Sequence, residues 1–119
     1  AFQKPNPFQP DIAVSIDSVI QKKLDAIDTL ESQFYEGGAN GYPELIPSDP
    51  GQQQERRCHI RASFEQRDQE VAQRFRSTLA AFYGPEKAKS IRCAEAFEIC
   101  EYGRRPDAAE LKQLFPFFG

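Results

Sequence analysis

Residues 10–36 read PDIAVSIDSVIQKKLDAIDTLESQFYE, and the change of period within them decides the fold class. In DIAVSID, Ile12, Val14 and Ile16 alternate with Ala13 and Ser15. Successive side chains of an extended chain face opposite sides, so this period of two predicts a strand over 11–16. Beyond it, Ile20, Leu24, Ile27, Leu30 and Phe34 recur at spacings of four and three. That spacing lines one face of a helix predicted over 17–33. Lys22, Lys23, Asp25, Asp28 and Glu31 occupy much of the remainder, as a solvated face would. Ser18 and Gln21 have the spacing of a capping box, whose two side chains satisfy N–H groups left open at a helix start. A strand running into an amphipathic helix predicts an α/β fold.

On the N-terminal side, AFQKPNPFQPD carries three prolines, so residues 1–10 read as an extended lead-in. On the C-terminal side, residues 35–51 form a long loop rich in glycine and proline. Loops of that length often act as lids or binding segments, or else are disordered. A helix is predicted from Asp49-Pro50 to Tyr83, with Phe64, Val71, Phe75, Leu79 and Phe82 as its apolar stripe. Gly84-Pro85 stops it, and a short helix is expected over 85–91. CAEAFEICEY alternates well enough for a strand over 93–101, although its alanines and glutamates leave a helical reading open. Asp107 and Glu110 have capping-box spacing before a final helix over 108–115. The tail LFPFFG is so aromatic that it must dock on something or invite aggregation. The count is about two strands and three to four helices in a single segment, 1–119. Two strands alone make a poor sheet, so more structure is expected from a missing segment or a neighbouring subunit, a second copy of the chain included.

Composition excludes several classes. The net charge is −3, the pI is about 5.2 and no lysine–arginine block stands alone, which argues against a nucleic-acid surface. No apolar run approaches the roughly 20 residues that span a bilayer. No leader is visible. Cys58, Cys93 and Cys100 are an odd set without paired spacing, which fits a reducing cytoplasm better than a disulfide framework. The chain contains no methionine and begins at Ala1, which fits either a trimmed initiator or a cut from a longer chain.

A self-contained active site is not found in these residues. The single histidine, His59, is too little for a histidine-based catalytic zinc site. Cys58 beside it would point about 100° away on a helix, so the two do not converge on a metal or form a dyad. Cys93 and Cys100 are expected as small core residues on opposite strand faces. No nucleophile elbow, P-loop or dinucleotide fingerprint occurs. Glu95 and Glu98 would face opposite sides of the strand, unlike an acid–base pair. Arg56, Arg57 and Arg61 cluster at a helix start. A solvated face accounts for them most simply, and the alternative is contact with an anion or carboxylate, since Arg61 lies one turn beyond Arg57.

Three stretches together resemble the C-terminal part of the PIG-L/LmbE family of zinc-dependent N-deacetylases. The first is residues 10–36, with Asp17 ending the strand, then Lys22, Lys23 and the Ser32-Gln33 pair. The second is the arginine-rich helix ending at Tyr83-Gly84. The third is AEAFEICEYGRRP, with its AEAF core at 94–97. Their order and rough spacing match over about residues 8–118. The resemblance implies a Rossmann-like α/β fold and removal of an N-acetyl group from an amino sugar or similar amide. Zinc in that family is held by HPDD-type and HPDH-type segments, and neither occurs in this sequence. The chain therefore carries no catalytic or metal-binding residue to assign, and is expected to be inactive alone. What remains for it is to shape or line a pocket, with Gln33, Tyr35, Tyr42, Arg61 and Glu95 as candidates. Glu95 is expected to be partly buried and paired with a nearby arginine. The alternative reading is a stand-alone helical interaction module that binds through its phenylalanine-rich tail.

Overall fold

The computed structural model describes residues 7–100 and 102–118. Its elements are β1 (Ile12–Ser15), α1 (Ile20–Asp28), α2 (Glu31–Phe34), α3 (Pro50–Arg74), α4 (Arg76–Tyr83), α5 (Pro85–Ser90), β2 (Ala94–Phe97) and α6 (Ala108–Leu114). Short three-ten turns occupy Gly38–Asn40, Pro43–Leu45 and Pro116–Phe118. The fold is mixed α/β and helix-rich, as the change of period predicts. Residues 1–6 of the expected lead-in and Glu101 of the expected second strand lie outside the described residues.

β1 and β2 pair antiparallel, with Ile12 opposite Phe97 and Ser15 opposite Ala94. Asp11 and Asp17, which bracket β1, close the two ends. Asp11 accepts the Ile99 N–H at 2.8 Å, and Asp17 accepts the Cys93 N–H at 2.7 Å and the Arg92 N–H at 3.0 Å. The strand expected over 93–101 therefore stops at Phe97. Its register would set Ile99 opposite Pro10, which has no N–H to donate, and an aspartate side chain takes the place of the ladder. Cys93 is buried, but Cys100, past the strand, is exposed rather than in the core.

Two expected helices are each divided. The helix over 17–33 starts only at Ile20, and Val19 stands at its N-cap without a side-chain hydrogen bond, so Ser18 and Gln21 form no capping box. It ends at Asp28 because the Thr29 hydroxyl bonds back to the Ala26 carbonyl at 2.7 Å, giving the chain a local alternative to the helical ladder. Leu30 then leaves helical geometry, and α2 begins in a new direction. The long helix begins as expected: Asp49 caps it by accepting the Gln52 N–H at 2.9 Å, with Pro50 following. It is interrupted at Phe75, where φ is −109° and ψ is 32°. Neither glycine nor proline marks that point in the sequence. The side chain of Arg76 instead spans to the carbonyls of Ala88 and Ile91, fixing α4 to the end of α5. The expected capping box at Asp107 and Glu110 is present.

Three apolar clusters hold these elements. Ala13 and Ala94 of the sheet meet Ala72, Leu79, Ala88 and Ile91. Ile20, Leu24 and Ile27 of α1 meet Ile16 and Cys93. Ile12, Leu111 and Phe118 form the third, so the aromatic tail docks on its own chain, the Phe118 ring lying 4.6 Å from Phe82 and 5.0 Å from Tyr83.

Candidate functional site

The order of the pairs shows that α1 and α3 run antiparallel. Lys23 meets Asp68, Asp28 meets Arg61, and Glu31 at the start of α2 meets Arg57. The acids spaced along α1 and α2 thus face the arginines of α3. That arrangement corrects the expectation of a merely solvated arginine face: Arg57 and Arg61 contact carboxylates supplied by the same chain. Arg61 binds Asp28 and also Asp25 at 2.9 Å.

Tyr35 follows α2 and is 2 % exposed. The turn at Thr29 and Leu30 reverses the chain enough for the Tyr35 hydroxyl to donate to Asp28, whose other oxygen takes Arg61. The Arg57 guanidinium lies 4.6 Å over the Tyr35 ring and also binds Glu31. Arg56 donates from Nε and Nη2 to the Tyr35 carbonyl at 3.2 and 2.7 Å. Burial and the Asp28 carboxylate raise the Tyr35 phenol above its ordinary value. Burial acts to raise Asp28 as well, but the Tyr35 hydroxyl and the Arg61 guanidinium outweigh it and hold the carboxyl below the usual carboxylate range.

These groups surround a pocket of about 250 Å³ lined by Glu31, Tyr35, Ile46, Gln53, Arg56 and Arg57. Of the stretch 35–51, Tyr35 and Ile46 line it. Gly41 is required in that stretch: a Cβ on it would stand 1.6 Å from the Glu36 carbonyl oxygen. Gln53 ties the far end of the segment to α3 by donating to the Pro47 carbonyl at 2.8 Å. The stretch 35–51, expected as one open loop, is therefore two three-ten turns anchored at both ends.

Of the five sequence candidates, Tyr35 and Arg61 come together through Asp28. Gln33 is exposed on α2, and Tyr42 is 66 % exposed outside the pocket lining. Glu95 belongs to a separate cluster. Its partner is Lys23 at 2.7 Å rather than an arginine, and Lys23 also binds both oxygens of Asp68 at 2.9 and 2.8 Å. This cluster joins α1, α3 and β2 through the Lys23 ammonium. Burial disfavours the Lys23 charge, but the two carboxylates more than offset it and raise its pKa.

Asp28 and Gln53 were not among the candidates, and Arg56 entered only as a member of the Arg56–Arg57–Arg61 cluster. The signal for Asp28 was the acidic spacing 25, 28, 31 against the basic pair 57 and 61, and it becomes legible once the helices are known to be neighbours.

His59 and Cys58 are exposed on α3. Among the described residues no three His, Cys, Asp or Glu side chains gather so as to hold a metal ion. Among the described residues no helix is long and apolar enough to cross a membrane. No protein-family model, no curated protein and no solved structure matches the chain.

Proposed function

We propose that this chain is the C-terminal part of a zinc-dependent N-deacetylase of the PIG-L/LmbE type, with a Rossmann-like fold completed by a segment or subunit outside this sequence. In this reading it has no chemical step of its own. It supplies the closing strands and one wall of a pocket, and works in the cytoplasm, with which its three free thiols are compatible.

One observation carries the reading. The stretches that resemble the family are joined to one another: β1 pairs with AEAF, and Asp17, the acid that ends the first stretch, binds the Cys93 N–H next to the third. Two further features support a missing neighbour. The sheet has two four-residue strands, fewer than a self-sufficient sheet needs. Val19, Leu30, Leu45, Phe97 and Leu114 are each more than two-fifths exposed. Against the competing view of an interaction module, the tail's Phe118 is already buried against α4.

The coding sequence upstream of Ala1 tests the proposal. An open reading frame with HPDD-type and HPDH-type segments is expected there, and the extended protein should bind zinc and release acetate from an N-acetyl amino sugar while the 119-residue chain does neither. A start codon directly before Ala1, or a reading frame without those segments, sinks it.

A further inference from the structure

We infer that the Tyr35 pocket binds a small molecule through an oxyanion, a carboxylate or phosphate group, with Arg56 as the principal contact. The inference stands apart from the deacetylase reading, since it uses only the geometry of the pocket.

The arginines differ in how their charge is spent. Arg61 faces two carboxylates, and Arg57 is divided between Glu31 and the Tyr35 ring. Arg56 has no carboxylate partner among the described residues; its bonds go to one neutral carbonyl. A guanidinium has five N–H donors. Two are used by Tyr35, which locks the plane of the group and leaves the donors of Nη1 and the second of Nη2. Those form the end-on fork that matches two oxygens of a carboxylate or phosphate.

The surroundings suit the same ligand. The ionised lining groups are Arg56, Arg57 and Glu31, which leaves the pocket one positive charge in a protein whose net charge is −3. Glu31 is neutralised by Arg57, so it does not stand as a free negative charge against an anion. Gln53 uses one amide N–H on Pro47 and keeps a second for a ligand oxygen. Ile46 gives an apolar surface for the part of the ligand next to its charged group. At about 250 Å³ the cavity lies just under the usual range of ligand pockets, so it suits a small ligand.

Nuclear magnetic resonance of the arginine Nε–H and glutamine side-chain amide signals tests this in the full chain. Inorganic phosphate and acetate are titrated separately at ionic strength held constant with chloride, which removes general screening. Saturable shifts are expected at Arg56 and Gln53, with only small linear drift at Arg92, which is 76 % exposed. Tighter saturation by phosphate assigns a phosphate ligand, and tighter saturation by acetate a carboxylate. Arg56→Lys keeps the charge but loses the fork, and should weaken the Gln53 titration at least tenfold. Absence of saturation in the wild type, equal shifts at Arg92, or an unchanged Gln53 titration in Arg56→Lys overturns the inference. Should that variant not fold, the wild-type titration decides alone, because it reports residue by residue.

Discussion

Asp28 receives the Tyr35 hydroxyl on one oxygen and the Arg61 guanidinium on the other, and so fixes three segments with one side chain. Asp28→Asn keeps the shape and removes the charge. It should lower stability by about 1.5–3 kcal/mol at pH 7, the range for hydrogen bonds to a charged group. The loss has a defined pH dependence. The folded carboxyl binds its proton less tightly than the unfolded one, whose value is about 3.9, so the stabilisation is complete above that pH. It disappears as pH falls through the lower, folded value. Thermal melts of both proteins from pH 7 to pH 3 should show a constant gap at the upper end that narrows below about pH 4. A gap that stays constant down to pH 3 would mean that the charge of Asp28 contributes nothing. Periodicity put Asp28 on the solvated side of its helix, which is correct for the helix alone. Its role comes from α3 and Tyr35, which are 33 and 7 residues away.

Among the elements, α6 is the one whose start the sequence specifies fully. Asp107 accepts the N–H groups of Ala109 and Glu110, each at 2.9 Å, and Glu110 returns the favour to the Asp107 N–H. All partners lie within three residues, so no distant contact is needed. Asp107→Ala should cost about 1 kcal/mol, read as a lower urea midpoint with an unchanged slope. A change of about 0.5 kcal/mol or less, the scatter of surface substitutions, would show that packing alone sets this helix start. The opposite case is Ser18 and Gln21, where the same spacing yields no cap because the chain enters α1 from a turn in which the Val19 N–H binds the Ile16 carbonyl at 2.9 Å. The breaks at Thr29 and Phe75 divide two periodic stripes. Thr29 offers a local cause through its hydroxyl, whereas the break at Phe75 follows from α4 being tied to α5 and Ile91 by Arg76.

For the whole molecule the central packing unit is Leu79, fully buried among Ala13, Ala72, Ala88, Ile91 and Ala94. Its neighbours are mostly alanines, which have no larger side chain to swing into a vacated space. Leu79→Ala should therefore cost about 3–5 kcal/mol, the upper part of the range for such truncations. Calorimetry of the two proteins measures it, and a loss below about 2 kcal/mol would show that the site collapses around the smaller side chain. The sequence by itself determined the strand after Pro10, the apolar stripe of α1, the Asp49 and Asp107 caps and the stop at Gly84. Each depends on spacing within a few residues. Only the tertiary structure decided the antiparallel pairing of β1 with β2, the Lys23 partnership of Glu95 and the pocket at Arg56. Those contacts join residues 21 to 88 positions apart. Their strength comes from desolvated charges and hydrogen bonds brought together by folding, and local periodicity carries no record of which distant group will arrive.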